Sequence, residues 1–144
     1  MDPSLHIVCP NCDTTNRVIS NRLVDNPRCG KCKRALFTGR PVELNHSNFQ
    51  KHIGSSQIPV LVEFWAPGCG YCQKMAPVFA QAASRLEPRV HLSTVNTQAE
   101  QPLAGQFNVS GVPTLVLFRS GKEVARQSGA MDLDTLIGWV RSRI

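Results

Sequence analysis

Apolar residues in this chain fall into short runs whose spacing alternates between that of strands and that of helices. Residues 59–65 form an apolar run broken only by Glu63, which is typical of a strand buried on both faces. Residues 70–86 and 133–144 instead repeat apolar positions at helical spacing. This alternation predicts an α/β fold built around a mixed sheet with flanking helices.

The predicted element order over the larger part of the chain is β-α-β-α-β-β-α. A short helix at residues 48–52 and an extra strand at residues 42–44 are expected to precede it. The strands are predicted at residues 59–65, 90–96, 114–118 and 123–127. The helices are predicted at residues 70–86, 100–107 and 132–144, and Asp132 is expected to cap the last of them.

The first 40 residues are organised by two Cys-x-x-Cys pairs, Cys9/Cys12 and Cys29/Cys32. Sixteen residues separate the pairs, a spacing typical of tetrahedral zinc sites in which four thiolates hold the ion. Three short strands are expected around the pairs, at residues 5–8, 15–19 and 35–37. We therefore predict one structural Zn²⁺ held by the four cysteines, with His6 as an exposed strand residue rather than a ligand.

A metal would have an energetic role here, because about 40 residues bury too little apolar surface to fold alone. Residues 39–41, with the sequence Gly-Arg-Pro, are interpreted as a linker. We therefore predict a zinc ribbon over residues 1–40 and a second domain over residues 41–144. The alternative for the four cysteines is two disulfides or free thiols, and a reducing cytosol disfavours disulfides.

Charge and hydropathy narrow the classes of partner. The net charge of +6 divides into +4 for residues 1–42 and +2 for residues 43–144. Four thiolates and one Zn²⁺ would lower the first value to about +2. That segment also lacks aromatic residues interleaved with Lys and Arg, so we do not expect nucleic-acid binding. No signal peptide and no run of roughly 20 apolar residues is recognisable, so we expect a cytoplasmic protein that does not associate with membranes. Nothing in the sequence demands a dimer, and a monomer is expected.

The third pair, Cys69-Gly-Tyr-Cys72, stands between the apolar run at residues 59–65 and the predicted helix. At a strand-to-helix turn the first sulfur lies where unpaired amides and the helix dipole stabilise a thiolate. The second sulfur lies one turn inside the helix, close enough to form a disulfide. This arrangement predicts a dithiol–disulfide switch, whose exchange chemistry needs no cofactor.

Three motifs follow one another in the second part of the chain. They are Phe64-Trp65-Ala66-Pro67-x-Cys69-Gly70-x-Cys72, Gly111-Val112-Pro113-Thr114-Leu115 and Ser128-Gly129-Ala130. With them, residues 42–144 resemble the thioredoxin family, and the four-cysteine segment is similar to the N-terminal extension of the bacterial thioredoxin 2 type. The resemblance implies a thioredoxin fold and a thiol–disulfide oxidoreductase that reduces protein disulfides. It also implies recycling by thioredoxin reductase with NADPH.

The resemblance also assigns roles to matching positions. Cys69 would be the nucleophile, and Cys72 would resolve the mixed disulfide. Pro113 matches the position of the family's cis-proline, and the backbone before it would pair with an extended substrate segment. The full set of substrate-binding residues expected on this basis is Trp65, Gly70, Tyr71, Gly111, Val112, Pro113 and Gly129.

Three departures from the family pattern surround the cysteines. Gly68 stands where the family usually has Trp, which removes a flat apolar surface beside the thiol. Tyr71 replaces the usual Pro between the cysteines and restores a backbone N–H expected to point near the sulfur. Glu63 replaces the buried Asp, and Thr94 replaces its Lys partner. Glu63 is therefore a candidate proton acceptor for Cys72, with a pKa that burial should raise.

Two other functions remain open at this point. The Gly70-Tyr71 dipeptide also occurs in the periplasmic disulfide isomerase type, so the same residues would suit an isomerase or oxidant. A zinc-ribbon redox sensor or adaptor is the other alternative, in which oxidation of the four ribbon cysteines releases zinc and changes partner access.

Overall fold

The chain forms a small hairpin followed by a five-stranded mixed sheet with helices on both faces, in a computed structural model that describes residues 2–144. The strands are β1 (Ser4–Val8), β2 (Thr15–Ile19), β3 (Val42–Glu43), β4 (Val60–Trp65), β5 (His91–Asn96), β6 (Thr114–Arg119) and β7 (Lys122–Ser128). The helices are α1 (Phe49–Ser55), α2 (Gly70–Leu86), α3 (Gln101–Gln106) and α4 (Leu133–Arg141).

The large sheet has the strand order β3-β5-β4-β6-β7. Strand β4 lies at its centre, parallel to β5 and antiparallel to β6, while β7 pairs antiparallel with β6. A central strand is covered on both faces, which explains why β4 is apolar almost throughout. Its carboxyl end leads directly into the turn that carries Cys69 and then into α2.

Successive residues of β4 point to opposite faces of the sheet, and each face has its own apolar core. Leu61 packs with residues of α2 and α4, including Met75, Phe79 and Leu136. Val60, Val62 and Phe64 pack on the other face. Glu63 has the same parity as Leu61 and therefore lies on the face covered by α2.

Most of the predicted elements are confirmed within one or two residues, including the extra strand β3 and the hairpin of β6 and β7. Asp132 Oδ1 accepts a hydrogen bond of 2.8 Å from the Thr135 amide and caps α4, as predicted. The first helix extends three residues beyond His52, to Ser55. The strand predicted at residues 35–37 is wrong, because a single bridge between Arg28 and Ala35 forms there.

The four-cysteine unit packs against the large sheet through specific contacts. His52 Nε2 lies 2.7 Å from Asp13 Oδ1, and His91 Nε2 lies 2.9 Å from the Leu36 carbonyl oxygen. Gln57 exchanges two hydrogen bonds with the backbone of β1: its amide donates to the His6 carbonyl at 2.8 Å, and its Oε1 accepts from the His6 amide at 2.7 Å. These contacts fix the unit beside α1 and the start of β4.

Ile58 completes the apolar core of the four-cysteine unit although it lies in the segment just before β4. It is 5% exposed and packs with Ile7, Val18, Leu36 and the cysteines. A unit of about 40 residues has a small core, so a single large side chain supplied by its neighbour is a substantial part of it.

We expect Ile58→Ala to lower the free energy of unfolding of the full chain by about 2–5 kcal/mol, the usual cost of truncating a buried aliphatic side chain. Urea unfolding with metal retained measures this loss. Val24→Ala is the matched control, because Val24 is 74% exposed and should change stability by less than about 0.5 kcal/mol. Equal effects of the two substitutions would contradict the assignment of Ile58 to the core.

Candidate active site and metal site

The Cys69–Cys72 disulfide lies at the turn between β4 and α2. Cys69 is the N-cap residue of α2, with extended backbone, and Cys72 follows within the first turn. Gly68 has a φ of +79°, in the left-handed region that residues with a Cβ rarely adopt. The glycine found where the family usually has Trp is therefore suited to the backbone of this turn.

The Cys69 sulfur lies among groups that stabilise negative charge. The Cys72 amide donates a hydrogen bond of 3.1 Å to Cys69 Sγ, and no acidic residue occupies the first turn of α2. The sequence analysis predicts the Tyr71 amide near this sulfur, but the amide that donates to it is that of Cys72. Amide donors and the helix dipole favour a thiolate over a thiol at this position.

The two cysteines differ in accessibility. Cys69 is half-buried, whereas Cys72 is 5% exposed and belongs to the buried face of α2. Cys69 is therefore the more accessible of the two to an incoming molecule.

The residues expected to bind substrate lie in three segments around Cys69: the end of β4 with the start of α2, the loop before β6, and the loop after β7. The Val112 carbonyl oxygen is 3.8 Å from Cys69 Sγ, and the Val112–Pro113 peptide bond is cis. The Gly129 amide donates a 2.9 Å hydrogen bond to the Pro113 carbonyl oxygen, which joins two of these loops. Exposure is uneven within the expected set, since Gly70, Tyr71, Gly111 and Gly129 are exposed, Trp65 and Val112 are half-buried and Pro113 is buried.

Glu63 is buried in the sheet beneath the disulfide. Its residue surface is 3% exposed, and its Oε2 has no hydrogen-bond partner among residues 2–144. Burial raises the pKa of this carboxyl from its ordinary value of 4.5 to about 7. Thr94 lies directly opposite Glu63 on β5 and offers no charge that would counter the effect of burial.

A cavity of about 340 Å³ connects Glu63 with Cys72. Its walls come from β4, the turn after it, α2, β5 and the segment before β3. The lining residues are Pro41, Glu63, Trp65, Ala66, Pro67, Gly68, Cys72, Gln73, Ala76, Phe79 and Thr94. Glu63 and Cys72 therefore border the same cavity.

The four ribbon cysteines converge on a second site. Their sulfur atoms all lie within 4.8 Å of one another, with 3.7 Å between Cys9 and Cys32 and 3.6 Å between Cys12 and Cys29. Sulfurs bound at about 2.3 Å in a tetrahedral site are roughly 3.8 Å apart. The arrangement therefore fits a single tetrahedral metal ion.

Hydrogen-bond donors surround the sulfur atoms of Cys9 and Cys29. The amides of Asn11 and Lys31 donate to Cys9 Sγ and Cys29 Sγ at 3.3 Å and 3.4 Å. Asn16 Nδ2 also donates to Cys29 Sγ at 3.4 Å, while Asn16 Oδ1 accepts from the Gly30 amide at 2.8 Å. The role of Asn16 was missed by sequence analysis, because nothing in its local pattern points to the second cysteine pair.

Comparisons with known proteins agree with this geometry. The Thioredoxin family matches residues 40–142, and the family described as Thioredoxin 2, N-terminal, matches residues 8–34. Thioredoxin C-3 of Corynebacterium nephridii is 43% identical over 138 residues, covering 96% of this chain and 94% of the relative. The thioredoxin of Haemophilus influenzae is 34% identical over 103 residues, covering 72% of this chain and 96% of the relative.

A solved structure gives the same result for the fold. A variant of a thioredoxin from Halobacterium salinarum superposes with a TM-score of 0.66 at 29% identity, covering 73% of this chain and 91% of that one. The chain belongs to the thioredoxin family, with the N-terminal four-cysteine ribbon of the thioredoxin 2 type. It is a thiol–disulfide oxidoreductase that reduces protein disulfides. None of the helices in residues 2–144 is long and apolar enough to span a membrane.

Proposed function

We propose that Cys69 attacks the target disulfide and that Cys72 resolves the resulting mixed disulfide. The observation that carries this division of roles is the contrast between the two sulfurs. Cys69 is only half-buried, and its sulfur accepts a hydrogen bond of 3.1 Å from the Cys72 amide. Cys72, in contrast, is buried. A stabilised and accessible thiolate is the better attacking group, and a buried thiol close to it is protected from other partners.

The exchange balances in two steps. The Cys69 thiolate forms a bond to one target sulfur, and the other target sulfur leaves as a thiolate. Cys72 then loses its proton, attacks Cys69 Sγ and releases the second target thiolate. Two electrons pass to the target, two protons complete its thiols, and the chain is left with the Cys69–Cys72 disulfide seen in the structure.

Glu63 is the proposed acceptor of the proton that Cys72 loses. It shares the cavity with Cys72, and burial brings the pKa of its carboxyl to about 7, near the pH at which the reaction would run. A general base is most effective when its pKa lies near the working pH.

Trp65, Gly70, Tyr71, Gly111, Val112, Pro113 and Gly129 form the proposed substrate-binding surface. The Val112 carbonyl oxygen, 3.8 Å from Cys69 Sγ, is positioned to accept a backbone hydrogen bond from an extended target segment. Tyr71, which is 68% exposed, would contact the same target beside the disulfide.

The wider proposal is a cytoplasmic monomer that acts on disulfide-containing proteins and is reduced again by thioredoxin reductase. Membrane and nucleic-acid partners are not part of it. The isomerase or oxidant alternative would use the same residues and would differ in the reduction potential of the Cys69–Cys72 pair.

We also propose that the ribbon binds one structural Zn²⁺ through Cys9, Cys12, Cys29 and Cys32. Sulfur spacings of 3.6–3.7 Å support this assignment, because Zn²⁺ favours four thiolates in tetrahedral geometry. The ion would link the two cysteine turns. The proposed division into a ribbon at residues 1–40 and a thioredoxin domain at residues 41–144 is supported by family matches over residues 8–34 and 40–142.

Replacing the resolving cysteine should trap targets. We expect Cys72→Ala to accumulate mixed disulfides through Cys69, because the second step has lost its attacking sulfur. Non-reducing gels and mass spectrometry of a cell lysate measure the trapped species. Cys69→Ala is the matched control and should trap none, so trapping by Cys69→Ala instead would reverse the two roles.

Replacing the proposed proton acceptor should alter the pH dependence of resolution. Glu63 is protonated below its pKa of about 7, so resolution in the unmodified protein should accelerate as the pH rises through that value. Glu63→Gln should lower the rate of resolution and remove the acceleration between low and high pH. Stopped-flow decay of a preformed Cys69 mixed disulfide measures the profile. An unchanged profile between about pH 6 and 9 would exclude Glu63 from the proton transfer.

Removing the metal should disorder the ribbon before it affects the larger sheet. We expect elemental analysis to find one zinc ion per chain. Chelation should then collapse the NMR amide dispersion of β1 and β2, while the signals of β4 and β6 persist. Reloading with zinc should restore the lost signals. A protein without zinc, or one whose ribbon signals survive chelation unchanged, would contradict a structural zinc site.

A further inference from the structure

The cavity beside Cys72 has the properties of a ligand site as well as those of a proton path. Its volume of about 340 Å³ exceeds the roughly 150 Å³ of an engineered cavity that binds benzene. Trp65, Phe79 and Ala76 make much of its wall apolar, and Pro67 and Gly68 border it where the chain is exposed. A molecule with one aromatic ring and a short substituent fits this space.

One carboxyl oxygen lies on the cavity wall without a hydrogen-bond partner among residues 2–144. Glu63 Oε2 is buried and makes no hydrogen bond within residues 2–144, although burying such an oxygen without a donor costs free energy. No Lys or Arg is among the residues that line the cavity. The oxygen lacks a hydrogen-bond donor, and a positively charged donor would also pair with the ionised carboxylate.

The surrounding titratable groups do not change this conclusion. From α2, Cys72 faces the cavity, and Lys74 is exposed and does not line it. From β5 the facing residue is Thr94, and from β6 the residue opposite Glu63 is Leu115. On β3, Glu43 pairs with Thr94 of β5 and is exposed. Its negative charge would add to the attraction for a cation rather than oppose it.

The cavity is also separate from most of the proposed substrate surface. None of Gly111, Val112, Pro113 or Gly129 lines it, whereas Pro41, from the segment that follows the ribbon, does. A small molecule there would leave the loops that carry Val112, Pro113 and Gly129 free to meet a protein target.

We propose that this cavity binds small organic ammonium ions, whose apolar body packs against Trp65 and Phe79 while the ammonium group donates to Glu63 Oε2. The proposal does not depend on Glu63 accepting a proton during catalysis, since it concerns the oxidised protein at rest. Binding and ionisation of Glu63 are linked, so the ligand and the carboxylate favour each other.

The test is calorimetric titration of the full-length, metal-loaded, oxidised protein with benzylammonium chloride at pH 6 and pH 8. Glu63 has a pKa of about 7 and pairs with the ligand when ionised, so the affinity should be about tenfold higher at pH 8. Benzyl alcohol has a similar body without the charge and should show no such gain. Equal benzylammonium affinity at the two pH values, or no binding at millimolar probe, would overturn the proposal.

Two substitutions locate the binding. Glu63→Gln should abolish the gain between pH 6 and pH 8. Ala76→Leu should weaken both benzylammonium and benzyl alcohol by filling the cavity. Ala80→Leu, one turn further along α2, exposed and outside the cavity lining, is the matched control and should leave both affinities unchanged. If Ala76→Leu and Ala80→Leu bind benzylammonium equally well, the ligand lies elsewhere and the proposal is wrong.

Discussion

The hydrogen bond from the Cys72 amide to Cys69 Sγ is the interaction on which the chemistry of this protein depends. It exists because β4 ends at the centre of the sheet and the chain turns at once into α2, which leaves Cys69 as the N-cap. A side-chain acceptor at this position satisfies an amide that the helix itself leaves free. The same bond that caps the helix therefore favours a thiolate on the sulfur, so local stability and reactivity have one origin.

At Glu63, in contrast, the property proposed to serve function lowers the stability of the fold. Its folded-state pKa of about 7 lies above its ordinary value of 4.5. Its contribution to stability is therefore complete below about pH 4.5 and declines as the pH rises through 7, by roughly 3 kcal/mol in total. The folded state bears this cost at neutral pH because no cation lies among the residues lining the cavity. The same burial gives the proposed proton acceptor of Cys72 a pKa near neutrality.

Features that depend on residues close together in the chain could be predicted from the sequence, whereas features that depend on distant residues could not. Strand β4 and helix α2 carry strong local patterns and were predicted closely, and the pairing of Glu63 with Thr94 agrees with the expected replacement of the family's ion pair. The strand expected at residues 35–37 failed because Leu36 is buried in the ribbon core without a neighbouring strand to extend the single bridge. The contacts of Asn16 and Ile58 depend on residues far away in the chain, so no local spacing reveals them.

Two buried histidines of the larger domain, His52 and His91, contact the ribbon. Burial lowers the pKa of His91 to about 4, so its imidazole is neutral where it meets the Leu36 carbonyl oxygen. Burial also lowers the pKa of His52, while its hydrogen bond to Asp13 acts in the opposite direction. A neutral imidazole loses less solvation on burial than a charged one, so the His91 contact can be buried without an ion pair. The stabilising effect of the His91 contact is complete above the ordinary histidine pKa of 6.5 and is lost as the pH falls toward 4. Ile58 adds an apolar contact that does not titrate, so the attachment of the ribbon does not depend on histidine protonation alone.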